Sequence, residues 1–126
     1  MSSSVFDFSA SAKRYQNPQE HWERFERLLA LLGEPYAQLK VVHIAGTNGT
    51  GTTSALCDAM LRASTGGGVG LFTSPHLHSF RERIRVDGKL VSREAVVAAV
   101  REVRAAVDTL EGGGGASPFE KLTAAA

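Results

Sequence analysis

The chain has 126 residues, enough for one modest domain, since domains usually hold roughly 100 to 200 residues. Its 14 Lys and Arg nearly balance 13 Asp and Glu, and a net charge of +1 excludes a chain-wide field that would attract nucleic acid or a membrane surface. One cysteine, Cys57, excludes an internal disulfide, and the absence of a secretory signal or a long apolar window predicts a soluble cytoplasmic protein.

The first predicted helix follows a polar stretch without clear period, residues 1–16, which we interpret as an arm. Asn17 is a capping residue and Pro18 suits the first helical turn. Gly33 and Pro35 end the helix. Apolar side chains at helical spacing predict a core-facing stripe: Trp22, Phe25, Leu28, Leu29 and Leu32.

A strand, a loop, a helix and a second strand come next. The apolar run 41–45 is typical of a strand buried on both faces of a parallel sheet, and its His43 is predicted to be a hydrogen-bonded core residue. After the glycine-rich turn 46–51, a helix is predicted over 52–63, followed by a strand over 69–73. A right-handed crossover would make the two strands parallel, with ligands bound beyond their carboxyl ends. The helix shows a repeating apolar pattern: Ala55, Leu56, Ala59, Met60 and Ala63.

The remaining segments predict a hairpin and two helices. Asp87-Gly88 is a hairpin turn signal, and we expect this hairpin to be peripheral. Ser92 can cap a helix over 93–110, and Ser117 and Glu120 form a capping box after a glycine-rich break at 112–115. One face of the longer helix is apolar: Val96, Val97, Val100, Val103, Val107 and Leu110.

This order of elements predicts an α/β fold in which a phosphate-loop parallel sheet is flanked by helices. Two parallel strands and a hairpin are fewer than the usual four to six strands. The last helix has a full start signal but only some eight residues. We therefore expect an incomplete domain: an arm over 1–16 and one α/β unit over 17–126.

The turn over residues 46–53 is the strongest candidate site. Backbone amides at a helix start, approached closely because of glycines, form a site for phosphate oxygens. The alternative is a turn whose glycines serve only tight geometry. The standard nucleotide-binding pattern places lysine before Ser or Thr, and here that slot holds Thr50.

Residues 42–49 (VHIAGTNG) with Gly51-Thr52-Thr53 resemble the phosphate loop of folylpolyglutamate and dihydrofolate synthases, of the Mur ligase superfamily, in which the position of Thr50 is lysine. Residues 69–77 (VGLFTSPHL), then Phe80 and residues 82–86 (ERIRV), form a second match at the family's spacing. Phe119-Glu120 with residues 122–126 resembles the family's next helix. The resemblance covers nearly the whole chain and implies the amino-terminal portion of a Mur-ligase-type central ATPase domain, with the carboxyl-terminal domain absent.

The resemblance implies a ligase in which ATP phosphorylates the carboxylate of dihydropteroate or folate and the amino group of L-glutamate attacks the acyl phosphate. Mg²⁺ is the implied cofactor, held by Thr52 and Ser74. No catalytic residue is implied with certainty, because the lysine slot is Thr50. The implied nucleotide-binding residues are Thr47, Asn48, Gly49, Thr50, Gly51, Thr52 and Thr53. The implied substrate-binding residues are Pro75, His76, Phe80, Phe119 and Glu120.

Several of these residues have plainer interpretations. Ser74 precedes a proline and suits an ordinary turn, and Glu120 has a sufficient role as the capping-box acid. His76 and His78 lack the Cys or carboxylate partners of a zinc set, so we reject zinc. A solvated hairpin face explains the alternating arginines at least as well as an anion clamp: Arg81, Arg83 and Arg85.

Three functional hypotheses follow. The first is a folate-glutamate ligase impaired by Thr50 and by missing parts, which the remainder of the ligase or a partner chain would have to supply. The second is a non-catalytic nucleotide- or pterin-binding module derived from that family. The third, an unrelated phosphate-loop protein such as a cell-wall peptide ligase, disagrees with the segment Thr73-Ser74-Pro75-His76.

Overall fold

The computed structural model describes residues 18–110 and 117–126. The chain divides into a helical unit, Met1–Leu39 with Val97–Ala126, and a loop unit, Lys40–Val96. The predicted arm, the Asn17 cap and the glycine-rich break lie outside the described residues. The elements in chain order are α1 (Pro18–Leu31), a 3₁₀ turn (Pro35–Gln38), α2 (Thr50–Thr65), β1 (Gly70–Phe72), a second 3₁₀ turn (Phe80–Arg83), β2 (Ile84–Val86), β3 (Lys89–Leu90), α3 (Arg93–Thr109) and α4 (Pro118–Ala125).

Helix α1 ends where the sequence predicts. Gly33 adopts a left-handed conformation with φ 80°. Its amide donates to the Ala30 carbonyl at 3.0 Å, and the Glu34 amide donates to the Leu29 carbonyl at 2.9 Å. These two bonds satisfy carbonyls that the end of a helix leaves without intrahelical partners. Gly33 therefore confirms the predicted stop.

The core of the helical unit joins α1 to α3. Leu28, Val103 and Val107 are buried, with relative exposures of 0 to 3%. Burying a side chain such as Leu28 contributes about 1.5 to 3 kcal/mol. The predicted stripe is wrong at Trp22, which is 59% exposed, because six residues along a helix turn a side chain about 120° away from Leu28. Other apolar residues pack partly buried against this core: Phe25, Leu32, Ala106, Leu110, Ala124 and Ala125.

The sheet of the loop unit has three short strands in the order β1-β2-β3. Both pairings are antiparallel, with Leu71 opposite Arg85 and Arg85 opposite Leu90. The predicted parallel sheet is therefore not confirmed, since the pairings among the described residues are all antiparallel. The expectation of a peripheral hairpin is wrong, because β2 is the central strand and is paired along both of its edges.

The apolar run 41–45 forms no strand in the structure. Val41 and Val42 are 71% and 64% exposed, and His43 is exposed as well. A strand requires a neighbouring backbone to accept and donate its hydrogen bonds, and no described strand pairs with this run. The predictions of a buried strand and of a core histidine at position 43 are therefore wrong for this structure.

Helix α2 forms as predicted, but its apolar pattern is not buried. Leu56 and Met60 are 59% and 63% exposed, whereas Asp58 is buried and accepts from Arg62 Nε at 2.9 Å. Helix α2 contacts β1. Three residues of strand span about 10 Å, less than half the roughly 24 Å of a 16-residue helix, so β1 cannot cover the helix. Cys57, the single cysteine, is half-buried.

The hairpin turn between β2 and β3 confirms the Asp87-Gly88 signal. Both residues have positive φ, 50° and 77°, as a tight hairpin turn requires. The Asp87 carboxylate also accepts from the Val69 amide at 2.9 Å, which ties the turn to the start of β1.

Helix α3 begins after Ser92, whose hydroxyl accepts from the Ala95 amide at 3.1 Å, and the predicted cap is confirmed. Val96 is buried, as are the two core valines of this helix, whereas Val97 is 40% exposed and lies outside the buried face. None of the helices in residues 18–110 and 117–126 combines the length and apolar character needed to cross a membrane.

Candidate functional site

The turn before α2 is built by backbone conformation. Residues 47–49 bend the chain, Gly49 has φ 73°, and α2 begins at Thr50. The Thr53 amide donates to the Gly49 carbonyl at 3.0 Å, which closes the first helical turn. The amides of Thr50 to Thr52 have no hydrogen-bond acceptor within the helix, because no helical carbonyl lies four residues before them. Exposed residues and the positive end of the helix together suit an anion.

The Thr50 side chain lies against the turn that precedes α2. Its Cγ2 would lie 3.5 Å from a Cβ placed on Gly46, so the threonine methyl group faces the backbone at the start of the turn. The Thr50 side chain is half-buried, and its carbonyl accepts from the Ser54 hydroxyl at 2.7 Å. Thr50 is therefore packed on the loop as a small, uncharged residue.

Ser74 follows β1 in the loop unit, which also contains α2. A short connection over residues 66–69 joins the end of α2 to β1, and the two elements are in contact. Ser74 is exposed, as are Thr52 and Thr53 in the first turn of α2.

These hydroxyl groups suit the implied Mg²⁺. Exposed, uncharged oxygen donors are ligands that Mg²⁺ accepts together with phosphate oxygens and water. Among the described residues, no group of three or more His, Cys, Asp or Glu side chains is placed to hold a metal ion. The ligands that the resemblance implies in this unit are the hydroxyl groups of Thr52 and Ser74.

The loop after β1 is fixed by side chains. The Ser74–Pro75 peptide bond is cis, Pro75 is exposed, and His76 and Phe80 are half-buried. Arg83 Nε donates to His76 Nδ1 at 2.8 Å. A neutral His76 that accepts at Nδ1 carries its proton on Nε2. The imidazole therefore accepts from Arg83 at Nδ1 and carries its donor at Nε2.

Glu82 is the residue that sequence reasoning missed in this loop. Its carboxylate accepts from the backbone amides of Leu77 at 3.0 Å, His78 at 3.0 Å and Ser79 at 2.7 Å. These amides, Leu77 first, lower the pKa of Glu82 from its usual 4.5 to about 2. The signal was present in the sequence, since Ser79 and Glu82 have the spacing of a capping box, as Ser117 and Glu120 do.

The arginines of this region have separate partners. Arg81 Nε donates to the Val91 carbonyl at 2.9 Å, and Arg83 donates to His76. Arg85 is exposed on β2. The solvated hairpin face is therefore a correct description of Arg85 alone.

Glu120 and Phe119 belong to the helical unit, at the start of α4. The Glu120 carboxylate accepts from the Ser117 amide, and the Ser117 hydroxyl accepts from the Glu120 amide at 3.1 Å, which confirms the capping box. Glu120 Oε1 lies 3.8 Å from His21 Nδ1, a neighbour that sequence reasoning did not predict. The Phe119 side chain lies outside the described part of the structure. The structure thus places these two residues in one unit and the other predicted site residues in the other.

Curated relatives match most of this chain, but the match covers only a small part of each relative. No protein-family model matches the chain. The protein named "Probable bifunctional folylpolyglutamate synthase/dihydropteroate synthase" of Haloferax volcanii is 44% identical over 105 residues, 82% of this chain and 12% of its own length. The dihydrofolate synthase/folylpolyglutamate synthase of Bacillus subtilis is 40% identical over 105 residues, 82% of this chain and 24% of its own. The chain thus spans a quarter or less of these relatives.

The matches to solved structures also cover most of this chain and a small part of each matched structure. Mycobacterium tuberculosis folylpolyglutamate synthase complexed with ADP and AMPPCP superposes with a TM-score of 0.77 at 36% identity, covering 93% of this chain and 27% of that one. E. coli FolC in complex with DHPP and ADP gives 0.71 at 34% identity, covering 82% and 24%. Over most of its own length, the chain is therefore homologous to part of the folylpolyglutamate synthase/dihydrofolate synthase family.

Proposed function

We propose that the chain is part of an ATP-dependent ligase that adds L-glutamate to dihydropteroate or folate, and that this copy is catalytically impaired. The observation that carries the proposal is the glycine-built turn at the start of α2, with left-handed Gly49 directly before the helix. Relatives named folylpolyglutamate synthase support it, as do their complexes with ADP, AMPPCP and DHPP.

The reaction has two steps. The terminal phosphoryl group of ATP moves to the substrate carboxylate, which forms an acyl phosphate and ADP. The glutamate amine then attacks the acyl carbon, and the amide forms as inorganic phosphate leaves and the amine loses a proton. Each step builds charge on phosphate oxygens, so catalysis depends on donors that are already in place.

The phosphate loop supplies these donors in the proposal. Amides of residues 48–51 hold the outer phosphates, and hydroxyl groups of Thr52 and Thr53 add further contacts. Thr47 flanks the same phosphates at the start of the bend. Thr52 and Ser74 would hold Mg²⁺, which supplies positive charge to the transferring phosphoryl group when bound.

The loop after β1 is assigned to the substrate side. Pro75, His76 and Phe80 would contact the pteroate portion, with His76 Nε2–H available as a donor because Nδ1 already accepts from Arg83. In the helical unit, Glu120 would accept substrate amino hydrogens through Oε1, which lies 3.8 Å from His21 Nδ1, since Oε2 accepts from the Ser117 amide. Phe119 would add an aromatic contact.

Thr50 is the reason for the proposed impairment. A lysine would place a positive charge on the outer phosphates, whereas the threonine packs toward Gly46 and offers one neutral hydroxyl. Removing one preorganised donor typically costs on the order of 10² to 10³ in rate. Catalysis would also require the parts of the ligase that lie beyond the matched quarter of the relatives. The complete ligase would work in the cytoplasm.

The inward packing of Thr50 favours one alternative. A non-catalytic nucleotide- or pterin-binding module of the same origin would keep the amides and lose only the charge. Both candidates bind nucleotide, so turnover is the property that distinguishes them.

The test is made in a full-length ligase that includes the missing parts, and it compares the parent sequence with Thr50→Lys, with ATP, Mg²⁺, dihydropteroate and L-glutamate, by glutamate-dependent ADP formation and by ATP binding. We expect ATP to bind both proteins and Thr50→Lys to turn over about 10² to 10³ times faster. Thr109→Lys, on the exposed side of α3, adds the same charge far along the chain from the loop and should change neither quantity. Equal rates in parent and Thr50→Lys would refute impairment at Thr50. ATP binding without turnover in either protein would favour the binding module.

A further inference from the structure

Helix α2 holds a charged pair in its last two turns. Asp58 is 7% exposed, and its Oδ2 accepts from Arg62 Nε at 2.9 Å. Its other oxygen, Oδ1, is buried without a hydrogen-bond partner among the described residues. An ion pair with a buried charge returns little net stability, because the cost of removing charge from water offsets the attraction. Stability alone therefore does not explain why a carboxylate is buried here.

Arg62 extends this pair to the hairpin turn. A Cβ placed on Gly88 would lie 2.9 Å from Arg62 Cζ, so the guanidinium group lies directly against the turn. The other residue of the turn, Asp87, is bound to the residue before β1. Its amide donates to the Val69 carbonyl at 2.8 Å, and the Val69 amide donates to Asp87 Oδ1 at 2.9 Å. Contacts therefore lead from Asp58 through Arg62 and the turn to the start of β1.

The covalent connection between α2 and β1 is less able to fix their arrangement. Gly66, Gly67 and Gly68 follow the helix and all have positive φ, 75°, 129° and 74°. Glycine has more backbone freedom than any other residue, so three in succession determine the direction of the next strand only weakly. The contacts across the hairpin turn add the constraint that these residues lack.

We propose that Asp58 and Arg62 are positioning residues that hold β1, and Ser74 after it, in place relative to the phosphate-loop helix α2. The pair together with its contact to Gly88 is called the α2 clamp below. The inference rests on the proposed function, in which Thr52 of α2 and Ser74 hold Mg²⁺ beside the phosphates of ATP. Ligands on two separate elements bind a metal well only when the residues that support them hold both elements in place.

The experiment measures ATP binding to the 126-residue chain in Mg²⁺ and in EDTA, for the parent, Arg62→Ala and Asp58→Ala. Alanine favours the helix, so α2 itself should remain in both variants. Amides at the start of α2 bind phosphate without a metal, so affinity in EDTA should not change. We expect the affinity gained with Mg²⁺ to fall roughly tenfold, the lower end of the range seen when residues supporting metal ligands are removed.

Hydrogen exchange of the Val69 amide gives a second measurement that needs neither metal nor nucleotide. This amide donates to Asp87 Oδ1 in the turn that Arg62 contacts. Without the α2 clamp the turn opens more often, so we expect the Val69 amide to exchange about tenfold faster in Arg62→Ala.

The matched control is Arg104→Ala, which removes an exposed arginine from α3 and should match the parent in all three measurements. If Asp58→Ala does not fold, Arg62→Ala decides the question, because the Arg62 side chain is 36% exposed. An unchanged gain from Mg²⁺ in the folded variants, or an equal loss in Mg²⁺ and EDTA, overturns the inference while the proposed function stands. A parent that binds ATP equally well in both conditions overturns the Mg²⁺ assignment and the inference with it.

Discussion

Two loops of the same unit are ordered by different means. The turn before α2 is shaped by backbone conformation, with a positive φ at Gly49 and helix amides directed outward. The loop after β1 is shaped by side chains, with three amides on Glu82 and the His76 ring on Arg83. A loop held by its backbone leaves donors free for a ligand. A loop held by side chains uses its donors internally and presents its side chains instead.

The comparison predicts that the first loop is sensitive to its glycine conformation. Gly49→Ala places a Cβ on a residue with φ 73°, where the structure has no atom within 4 Å, so the effect is backbone strain alone. Such strain costs roughly 1 to 2 kcal/mol. We expect ATP affinity to fall about tenfold, since each 1.4 kcal/mol corresponds to a factor of ten. Chemical denaturation and ATP titration measure the two effects.

Gly33→Ala is the matched control, because Gly33 has φ 80°, open space around its Cβ position and a place in the helical unit. It should lose similar stability and bind ATP like the parent. An equal loss of ATP affinity in both variants would show that the phosphate loop has no special dependence on Gly49.

The second loop should instead be sensitive to the charge of one carboxylate. The pKa of Glu82 lies near 2 in the folded protein and at 4.5 as its usual value, so its stabilising contribution is complete above pH 4.5. As pH falls from 4.5 to 2 the unfolded state takes up a proton that the folded state does not, and the contribution is lost. Glu82→Gln should therefore be less stable than the parent at pH 7, with a difference that disappears by about pH 2.

Denaturant unfolding of both proteins at several pH values between 7 and 2 measures this difference. Glu94→Gln is the control, and its small difference from the parent should not follow the same pH course. A constant gap between Glu82→Gln and the parent over the whole range would contradict the assignment of the three amides to a charged Glu82.

The same contrast explains how far the sequence could predict the molecule. Gly33, Gly49 and Asp87-Gly88 act through local conformation, so their positions in the sequence were sufficient for a helix end, a loop and a turn. The burial of residues 41–45 depended on neighbouring strands, and the expectation failed where no described strand pairs with them. The Glu82 anchor joins residues five or fewer apart, yet its pattern was recognised only at Ser117 and Glu120.

The capping serines give the smallest predicted effect. Ser79 and Ser117 occupy equivalent capping boxes, but the Ser79 hydroxyl accepts at 3.4 Å, whereas the Ser117 hydroxyl accepts at 3.1 Å and its residue is 6% exposed. Replacing a capping serine by alanine costs about 0.5 to 2 kcal/mol. We expect Ser117→Ala to lose about 1 kcal/mol and Ser79→Ala only a few tenths, because the carboxylate of Glu82 accepts from backbone amides that remain in Ser79→Ala. Denaturant unfolding of the two variants measures the order. If Ser79→Ala lost more stability than Ser117→Ala, the second loop would depend on its serine, and the carboxylate would be a weaker anchor than its three hydrogen bonds indicate.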